Sequence, residues 1–206
     1  MLLDRQNKTS QRRLSPWSSS HSYPGISTYC ERVRTLVTLG RFEHIVRVAN
    51  LAESIARANA FDRGEIRATV LAALLHDVAR DLPTEELFSL APPESEFERA
   101  NPLSVHGRAG RLLAKRWGVN DSRVLEAISG HVFGVPSGNR VGMAVYIADM
   151  SEPGRGANRE IREFAMSDLF RAYRWAVDTK VRHLRAKGKA VHPETLKVYE
   201  EICNPR

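Results

Sequence analysis

Two stretches of the chain are apolar over more than one full helical turn. From Ala68 to Leu75 only Thr69 is polar, and Val141 to Met150 is apolar nearly throughout. Helices of this kind are apolar on all sides and lie inside a domain, and both are far too short to cross a membrane. His76-Asp77 directly follows the first stretch, and Asp149 lies at the end of the second. Because an unpaired buried carboxylate is very costly, each aspartate either emerges into solvent or has a compensating partner.

The other periodic segments are amphipathic and predict helices, and no alternating stretch is long enough to predict a strand. Gly40 is predicted to end the first helix, Asp62 to cap the third and Pro83 to begin the fourth. The predicted helices are 29–39, 43–60, 63–80, 83–90, 104–117, 121–129, 141–150, 168–187 and one that begins at His192-Pro193, with 91–98 as a loop. The predicted fold class is therefore all-α, a single helical bundle.

Residues 1–28 differ from the rest of the chain. They are rich in serine, basic, and contain a single acidic residue, Asp4, without a helical or strand period. This composition predicts a disordered tail. The segment lacks the continuous apolar core that a secretory signal needs, while an organellar transit peptide stays an alternative. We therefore assign 1–28 to a disordered, basic, Ser-rich tail and 29–206 to one folded domain.

Charge and cysteine content indicate the class of partner and the cellular compartment. The 206 residues carry a formal net charge of +7, which favours a polyanionic substrate or partner such as a nucleotide or RNA. The only cysteines are Cys30 and Cys203, which excludes a disulfide framework and a zinc-thiolate site. We expect a cytoplasmic protein without a membrane partner.

Six side chains that bind metals well lie on or directly after these apolar helix faces: His44, His76, Asp77, His106, His131 and Asp149. A single histidine on such a face is more often a hydrogen-bonded core residue, but six such residues favour a shared site. Four imidazoles and two carboxylates suit iron, manganese, zinc or a similar ion better than calcium or magnesium. They outnumber the ligands of one catalytic ion, which keeps positions for water and substrate. The pattern therefore predicts two divalent transition-metal ions.

The order of these six residues resembles the binuclear pattern of the HD-domain phosphohydrolase superfamily. The segments 41–44, 75–83, 146–155 and 188–196 are similar to its bacterial YqeK-like branch, and the similarity runs from about Thr35 to Ile202. The resemblance implies an HD-type metal-dependent phosphohydrolase domain that cleaves diadenosine tetraphosphate symmetrically to two ADP, with iron as the most expected metal. It also implies which metal each ligand holds: His44, His76 and Asp149 one ion, His106 and His131 the other, with Asp77 as a bridge.

Cations close to the predicted ligands are candidates for binding the phosphate chain. Arg47 follows His44 by three residues, Arg80 follows the His-Asp pair by about one turn, and Arg155 follows Asp149 in a turn. Surface ion pairs are the alternative interpretation of these arginines. The YqeK-like branch often has lysine in place of Arg80, and the two cations bind phosphate differently.

Three further residues complete the predicted site. We expect Asp81 to act with Asp77 and Arg80 in catalysis, by orienting a ligand or accepting a proton, or else to cap the turn before Pro83. Phe133 is predicted to stack on a nucleotide base, and its alternative role is in the core. His192 is predicted to face the cleft, or merely to precede a helix.

Two other functions stay open. An HD-type di-iron oxygenase uses the same ligand order and would consume oxygen without cleaving a phosphate ester. An RNA- or ribosome-binding module with a structural metal would show a steeply salt-dependent RNA affinity that survives loss of the metal. The expected partner is a dinucleoside polyphosphate substrate rather than a nucleic acid. Ribosome association and a homodimer also stay open.

Overall fold

The described part of the chain, residues 25–203 of a computed structural model, consists of helices and turns and contains no strand. Two short 3₁₀ helices, Pro102–Val105 and Pro153–Arg155, lie between the α-helices. The α-helices are α1 Ile26–Leu36, α2 Leu39–Ala58, α3 Arg63–Leu75, α4 Thr84–Leu90, α5 Glu96–Ala100, α6 His106–Arg116, α7 Ser122–Gly130, α8 Arg140–Ser151, α9 Arg159–Phe164, α10 Leu169–Ala186 and α11 Pro193–Cys203. The predicted all-α class is confirmed.

Helix α8 lies at the centre of the bundle. It packs against α2, α3, α7 and α10, while α11 packs on α10 and α6 packs on α7. Residues 141–148 of α8 and 72–75 of α3 are all buried, as their apolar composition predicts. Full burial of each valine or leucine side chain is worth roughly 1.5–3 kcal/mol. The residues that follow these two stretches are therefore attached to a firmly packed core.

No helix within the described range is long and apolar enough to span a membrane.

Several predicted helix ends are wrong. Helix α3 ends at Leu75 rather than near Arg80, because the chain continues in tight turns in which the amides of Val78 and Arg80 donate to the carbonyls three residues earlier, at 3.2 and 2.9 Å. Gly40 does not end α1 but lies in the first turn of α2, for which Thr38 is the N-cap. The predicted loop 91–98 contains the start of α5, whose N-terminus Ser95 caps.

The predicted tail lies mostly outside the described residues. Residues 1–24 are not described, whereas 26–28, which we assigned to the tail, form the first turn of α1. Residues 26–28 belong to the folded domain because Ile26 is only 3% exposed and packs in the main core. Helix α9 was also not predicted. In contrast, the predicted cap at Asp62 is confirmed, and its carboxylate and that of Glu65 form a reciprocal capping box.

Helix α6 approaches α7 closely because two glycines of α6, Gly107 and Gly110, face α7. A Cβ on Gly107 would lie 2.6 Å from the carbonyl oxygen of Ser129, and one on Gly110 would lie 3.3 Å from side-chain carbons of Ile128 and Val78. Only glycine permits such a close backbone approach. His106, the first residue of α6, is thereby brought to the end of α7.

Candidate metal centre

The six predicted ligands meet at one place in the bundle. They come from five separate parts of the chain, and all except Asp149 are at least 93% buried, with exposures of 0–7%. The side chain of Asp149 is 20% exposed. The contributing positions are His44 in α2, His76 and Asp77 directly after α3, His106 at the start of α6, His131 directly after α7, and Asp149 in α8.

Asp77 lies between two pairs of histidines. Its Oδ1 is 3.0 Å from Nε2 of His106 and 3.4 Å from Nε2 of His131. Its Oδ2 is 3.6 Å from Nε2 of His76 and 3.7 Å from Nε2 of His44. Each oxygen of one carboxylate thus faces a different histidine pair, which is the arrangement that a carboxylate shared by two ions requires.

Asp149 belongs to one of these two sets. Its Oδ1 is 3.1 Å from Nε2 of His44 and 3.7 Å from Nε2 of His76. On the other side of Asp77, Nε2 of His106 and Nε2 of His131 are 2.9 Å apart. The first set therefore contains His44, His76 and Asp149, and the second contains His106 and His131.

Each histidine presents Nε2 to the centre because its other ring nitrogen is already engaged. Nδ1 of His76 and of His131 lies 2.7 Å from the carbonyl oxygens of Ala73 and Ile128 respectively. Nδ1 of His106 similarly contacts a backbone carbonyl, and Nδ1 of His44 lies 3.1 Å from a carboxylate oxygen of Glu152. Carbonyl and carboxylate oxygens only accept hydrogen bonds, so the proton resides on Nδ1. Nε2 is left as a bare lone pair.

A divalent metal fits this donor set. Nε2 of His44 and Nε2 of His76 are buried and have no hydrogen-bond partner within the described residues 25–203, whereas buried polar atoms normally have one. Their lone pairs face carboxylate oxygens, so like partial charges are held together in a site away from water. A cation removes this repulsion and supplies the missing partner.

The electrostatics of the centre keep Asp77, Asp149 and His131 deprotonated, as metal binding requires. Burial would raise the pKa of Asp77 and of Asp149, but the surrounding histidines hold both well below the usual value. Burial lowers the pKa of His131 to about 4. Burial also acts to lower the pKa of His76, but the two neighbouring carboxylates outweigh it and raise that pKa. A proton therefore competes with a metal at His76.

Sequence reasoning missed two residues that contact the ligands directly. The guanidinium of Arg41 donates to Oδ2 of Asp77 at 2.8 Å. Glu152 is 1% exposed, contacts His44 through Oε1, and accepts through Oε2 from Arg47 Nε at 2.7 Å. A sequence signal did exist, since Arg41 precedes His44 and Glu152 follows Asp149 by three residues, which is one helical turn.

The three predicted phosphate-binding arginines lie in different environments. Arg47 is held by Glu152, and Arg155 donates to Oδ1 of Asp149 at 2.5 Å. Arg80 is partly buried, and within the described chain its guanidinium forms no ion pair or hydrogen bond. Of the three arginines, Arg80 is therefore the one whose guanidinium donors are available to a ligand.

Asp81 holds the start of α2 rather than the turn before Pro83. Its Oδ2 accepts from the amide and the hydroxyl of Thr38 at 2.9 and 2.8 Å, and its Oδ1 is 3.6 Å from Nε of Arg41. The alternative in which Asp81 caps the turn before Pro83 is wrong. Since Arg41 also contacts Asp77, Asp81 acts on the centre through that arginine.

Phe133 and His192 stack on each other. Their ring centroids are 3.8 Å apart and their planes differ by 10°, and the ring of Phe97 meets His192 edge-on at 5.1 Å. Both predicted residues thus belong to one aromatic cluster, and Phe133 lies two residues after the predicted ligand His131 in the chain. A planar base would join this stack or replace one of its members.

A cleft of about 590 Å³ adjoins the centre between α8 and α10. Its walls include one ligand from each set, His131 and Asp149, together with Arg155 and Lys180. Lys180 was not among the residues predicted from the sequence. Volumes of about 300–1,000 Å³ are typical of sites for small ligands.

Comparison with known proteins adds a family to this geometry. A model of the HD domain matches residues 41–162, a range that contains all six ligands. A symmetrical bis(5'-nucleosyl)-tetraphosphatase of Bacillus subtilis is 30% identical over 178 residues, which cover 84% of this chain and 94% of that protein. A probable nicotinate-nucleotide adenylyltransferase/Ap4A hydrolase of Mycoplasma genitalium is 30% identical over 151 residues. This match covers 68% of the chain but only 42% of the longer Mycoplasma protein.

A solved structure has the same fold. The crystal structure of a protein from Clostridium acetobutylicum, described as a predicted HD superfamily hydrolase involved in NAD metabolism, superposes with a TM-score of 0.78 at 28% sequence identity. The superposition covers 88% of this chain and 98% of that one.

Proposed function

This chain belongs to the HD domain family and is an HD-domain hydrolase, and from that premise we propose that it cleaves diadenosine tetraphosphate symmetrically into two ADP. The observation that carries the proposal is the position of Asp77, whose two oxygens face different histidine pairs. This arrangement supports a two-metal centre, which suits the in-line displacement of a phosphoryl group. The names of the Bacillus and Mycoplasma relatives support the choice of substrate.

Two divalent ions fit the donor atoms. His44, His76 and Asp149 would hold one, His106 and His131 the other, and Asp77 would be shared. Iron is our first choice, and manganese or zinc are suitable alternatives with nitrogen and oxygen ligands. When bound, such a pair of ions activates a water molecule and polarises the phosphoryl oxygens.

The protein's own groups keep this arrangement rigid. Asp81 holds the start of α2 through Thr38 and lies 3.6 Å from Nε of Arg41, and Arg41 in turn donates to Oδ2 of Asp77. Glu152 fixes the ring of His44 and the guanidinium of Arg47. Groups held in this way need no reorganisation when negative charge moves during the reaction.

The phosphate chain is neutralised by cations around the centre. We place Arg80 on the phosphoryl oxygens because its guanidinium has no partner among residues 25–203, and Arg47 and Arg155 add further positive charge. The Phe133–His192 stack would receive an adenine ring. Water adds to the phosphorus of an inner phosphate while the bond to the central bridging oxygen breaks, and that oxygen leaves with the second ADP.

The decisive experiment combines metal analysis with identification of products. Purified protein should contain close to two transition-metal ions per chain and convert diadenosine tetraphosphate to ADP alone, and Asp77→Asn should fail to do so. Formation of ATP and AMP would contradict symmetrical cleavage. The substrate panel should include NAD, because the Clostridium relative is described in terms of NAD metabolism. Oxygen consumption without phosphate cleavage would establish an oxygenase instead, and metal-independent RNA binding without hydrolysis would establish a binding module.

A further inference from the structure

Lys180 lies in α10, on the wall of the cleft between α8 and α10, and it is partly buried. Its ammonium donates to the backbone carbonyl of Val132 and lies over the ring of Tyr146, 5.3 Å from the centroid. An ammonium has three donors, and one of them is used by Val132. Among residues 25–203 the ammonium makes no other hydrogen bond, so two donors are available to a ligand in the cleft.

The ammonium of Lys180 has no direct ion-pair partner in the part of the chain that the structure describes. Burial lowers the pKa of Lys180 to about 8, which Asp149 opposes and Arg155 reinforces. A partly buried cation with no ion-pair partner is costly unless a ligand supplies the negative charge.

The position of the cleft identifies that ligand. Its walls include His131 from one ligand set and Asp149 from the other, so the cleft borders both proposed metal positions. Arg155 adds a second cation to the same walls, and Asn158 and Thr179 add uncharged polar groups. A ligand that reaches the centre from this cleft therefore meets cations along its path, as an anionic phosphate chain requires.

We propose that Lys180 binds a phosphate of the substrate, and that the cleft between α8 and α10 holds one of the two ADP halves during cleavage. The proposal rests on the function proposed above and assigns one half of the substrate to a particular cleft. Lys180 is thus a substrate-binding residue, and the aromatic stack of Phe133 and His192 is left for the other half.

A structural role for Lys180 is the competing explanation. By holding the carbonyl of Val132, the lysine also fixes the residue next to the ligand His131. A residue that acts only in this way would change metal content or thermal stability. It would not change the affinity for a phosphate ligand in protein that has kept its metals.

The test uses metal-loaded protein and compares Lys180→Met with Lys180→Arg, which keeps the charge. Lys187→Met is the matched control, because it removes the same charge from an exposed position at the end of the same helix. Four quantities are measured for each: KM and kcat for diadenosine tetraphosphate, ADP affinity by calorimetry, and metal ions per chain. Lys180→Met should raise KM and weaken ADP binding by roughly 10- to 100-fold, the effect of one hydrogen bond between charged groups. Metal content should not change, and Lys180→Arg should recover part of the affinity.

The wild-type protein provides a second measurement, which does not depend on how a variant folds. Several charged and titratable groups line the cleft together with Lys180: Tyr146 and Asp149 on α8, Arg155 in the following 3₁₀ helix, His131 after α7, and His183 on the same helix α10. Because the charged ammonium binds phosphate, ADP affinity should fall as the pH rises through about 8. The fall should be absent in Lys180→Arg, since arginine stays charged.

The outcomes separate the two proposals. If the wild-type protein cleaves diadenosine tetraphosphate but Lys180→Met keeps the wild-type KM and ADP affinity, the role of Lys180 is refuted and the function stands. Equal losses in Lys180→Met and Lys187→Met would refute it as well, because the effect would then be one of net charge. If the wild-type protein does not cleave this substrate, the function is refuted, and ADP binding alone then decides whether Lys180 binds phosphate.

Discussion

Glu152→Gln should selectively weaken the metal position that contains His44. The carboxylate of Glu152 contacts Nδ1 of His44 at 3.1 Å, accepts from Nε of Arg47 at 2.7 Å, and accepts from the amide of Gly154 at 2.6 Å. All of these neighbours are donors when Nδ1 of His44 carries its proton. Glutamine has the same shape but replaces one acceptor oxygen by a donor.

Neither orientation of the amide satisfies these neighbours. If the amide oxygen of the glutamine faces Arg47 and Gly154, its amide nitrogen donates to Nδ1 of His44. The imidazole proton then moves to Nε2, and this nitrogen can no longer bind metal. In the reverse orientation the amide nitrogen faces two donors. Loss of such a supporting contact typically costs 10- to 100-fold in metal affinity, or about 1.4–2.8 kcal/mol.

The assay is a chelator competition on metal-loaded protein, with metal ions per chain counted at each step. Glu152→Gln should lose its first ion at a roughly 10- to 100-fold lower chelator concentration, while the ion held by His106 and His131 stays bound. Glu160→Gln, which makes the same change at an exposed site, is the control and should match the wild type. Retention of both ions with wild-type affinity in Glu152→Gln would refute the reasoning.

Three further predictions follow from the site and its supports. Asp77→Asn should remove both ions and lower hydrolysis by more than roughly 100-fold; loss of one ion only, by metal analysis, would show that the carboxylate is not shared. Tyr173→Phe should lower the free energy of unfolding by about 2–4 kcal/mol in urea denaturation. The reason is that the Tyr173 hydroxyl accepts from the amide of Val135 at 2.6 Å and donates to its carbonyl at 2.8 Å, and both groups are buried; a loss below about 0.5 kcal/mol would contradict this. Removal of metal should lower the melting temperature, and returning metal to 100 times its Kd should restore about 2.7 kcal/mol; an unchanged melting temperature would mean that the folded protein binds no metal.

The sequence was sufficient to predict the six candidate ligands, which the structure brings together, because each of them interrupts an apolar pattern. A histidine or aspartate at the end of a buried helix is visible without coordinates, and His76, Asp77 and Asp149 were found in that way. The distances within the centre were not predictable, because they depend on how five separate parts of the chain pack.

Residues that support the ligands were harder to recognise. Arg41 and Glu152 are ordinary charged residues in the sequence, and only the packing of their helices reveals that they contact Asp77 and His44. Lys180 lies on a helix whose apolar face can be read from the sequence, but its contact with Val132 joins positions 48 residues apart. Long-range partners of this kind leave no local pattern.

Helix ends were mispredicted where they depend on contacts with side chains from distant parts of the sequence. Gly40 predicts the end of a helix by its intrinsic preference, yet Thr38 caps α2 and is itself held by Asp81, 43 residues away. The tight turns after Leu75 are likewise invisible in a sequence that continues to favour a helix.

The hydrogen atom that Gly107 carries in place of a side chain sets the spacing of one histidine pair. The carbonyl oxygen of Ser129 occupies the space that a methyl group would need, so the distance between the start of α6, which carries His106, and the end of α7, which precedes His131, is limited by two backbones and not by the histidines themselves. A homologous chain could keep all six predicted ligands, gain one methyl group here, and yet hold His106 and His131 farther apart. Family membership judged by ligands alone would accept such a chain, although the metal position proposed between these two histidines would have changed.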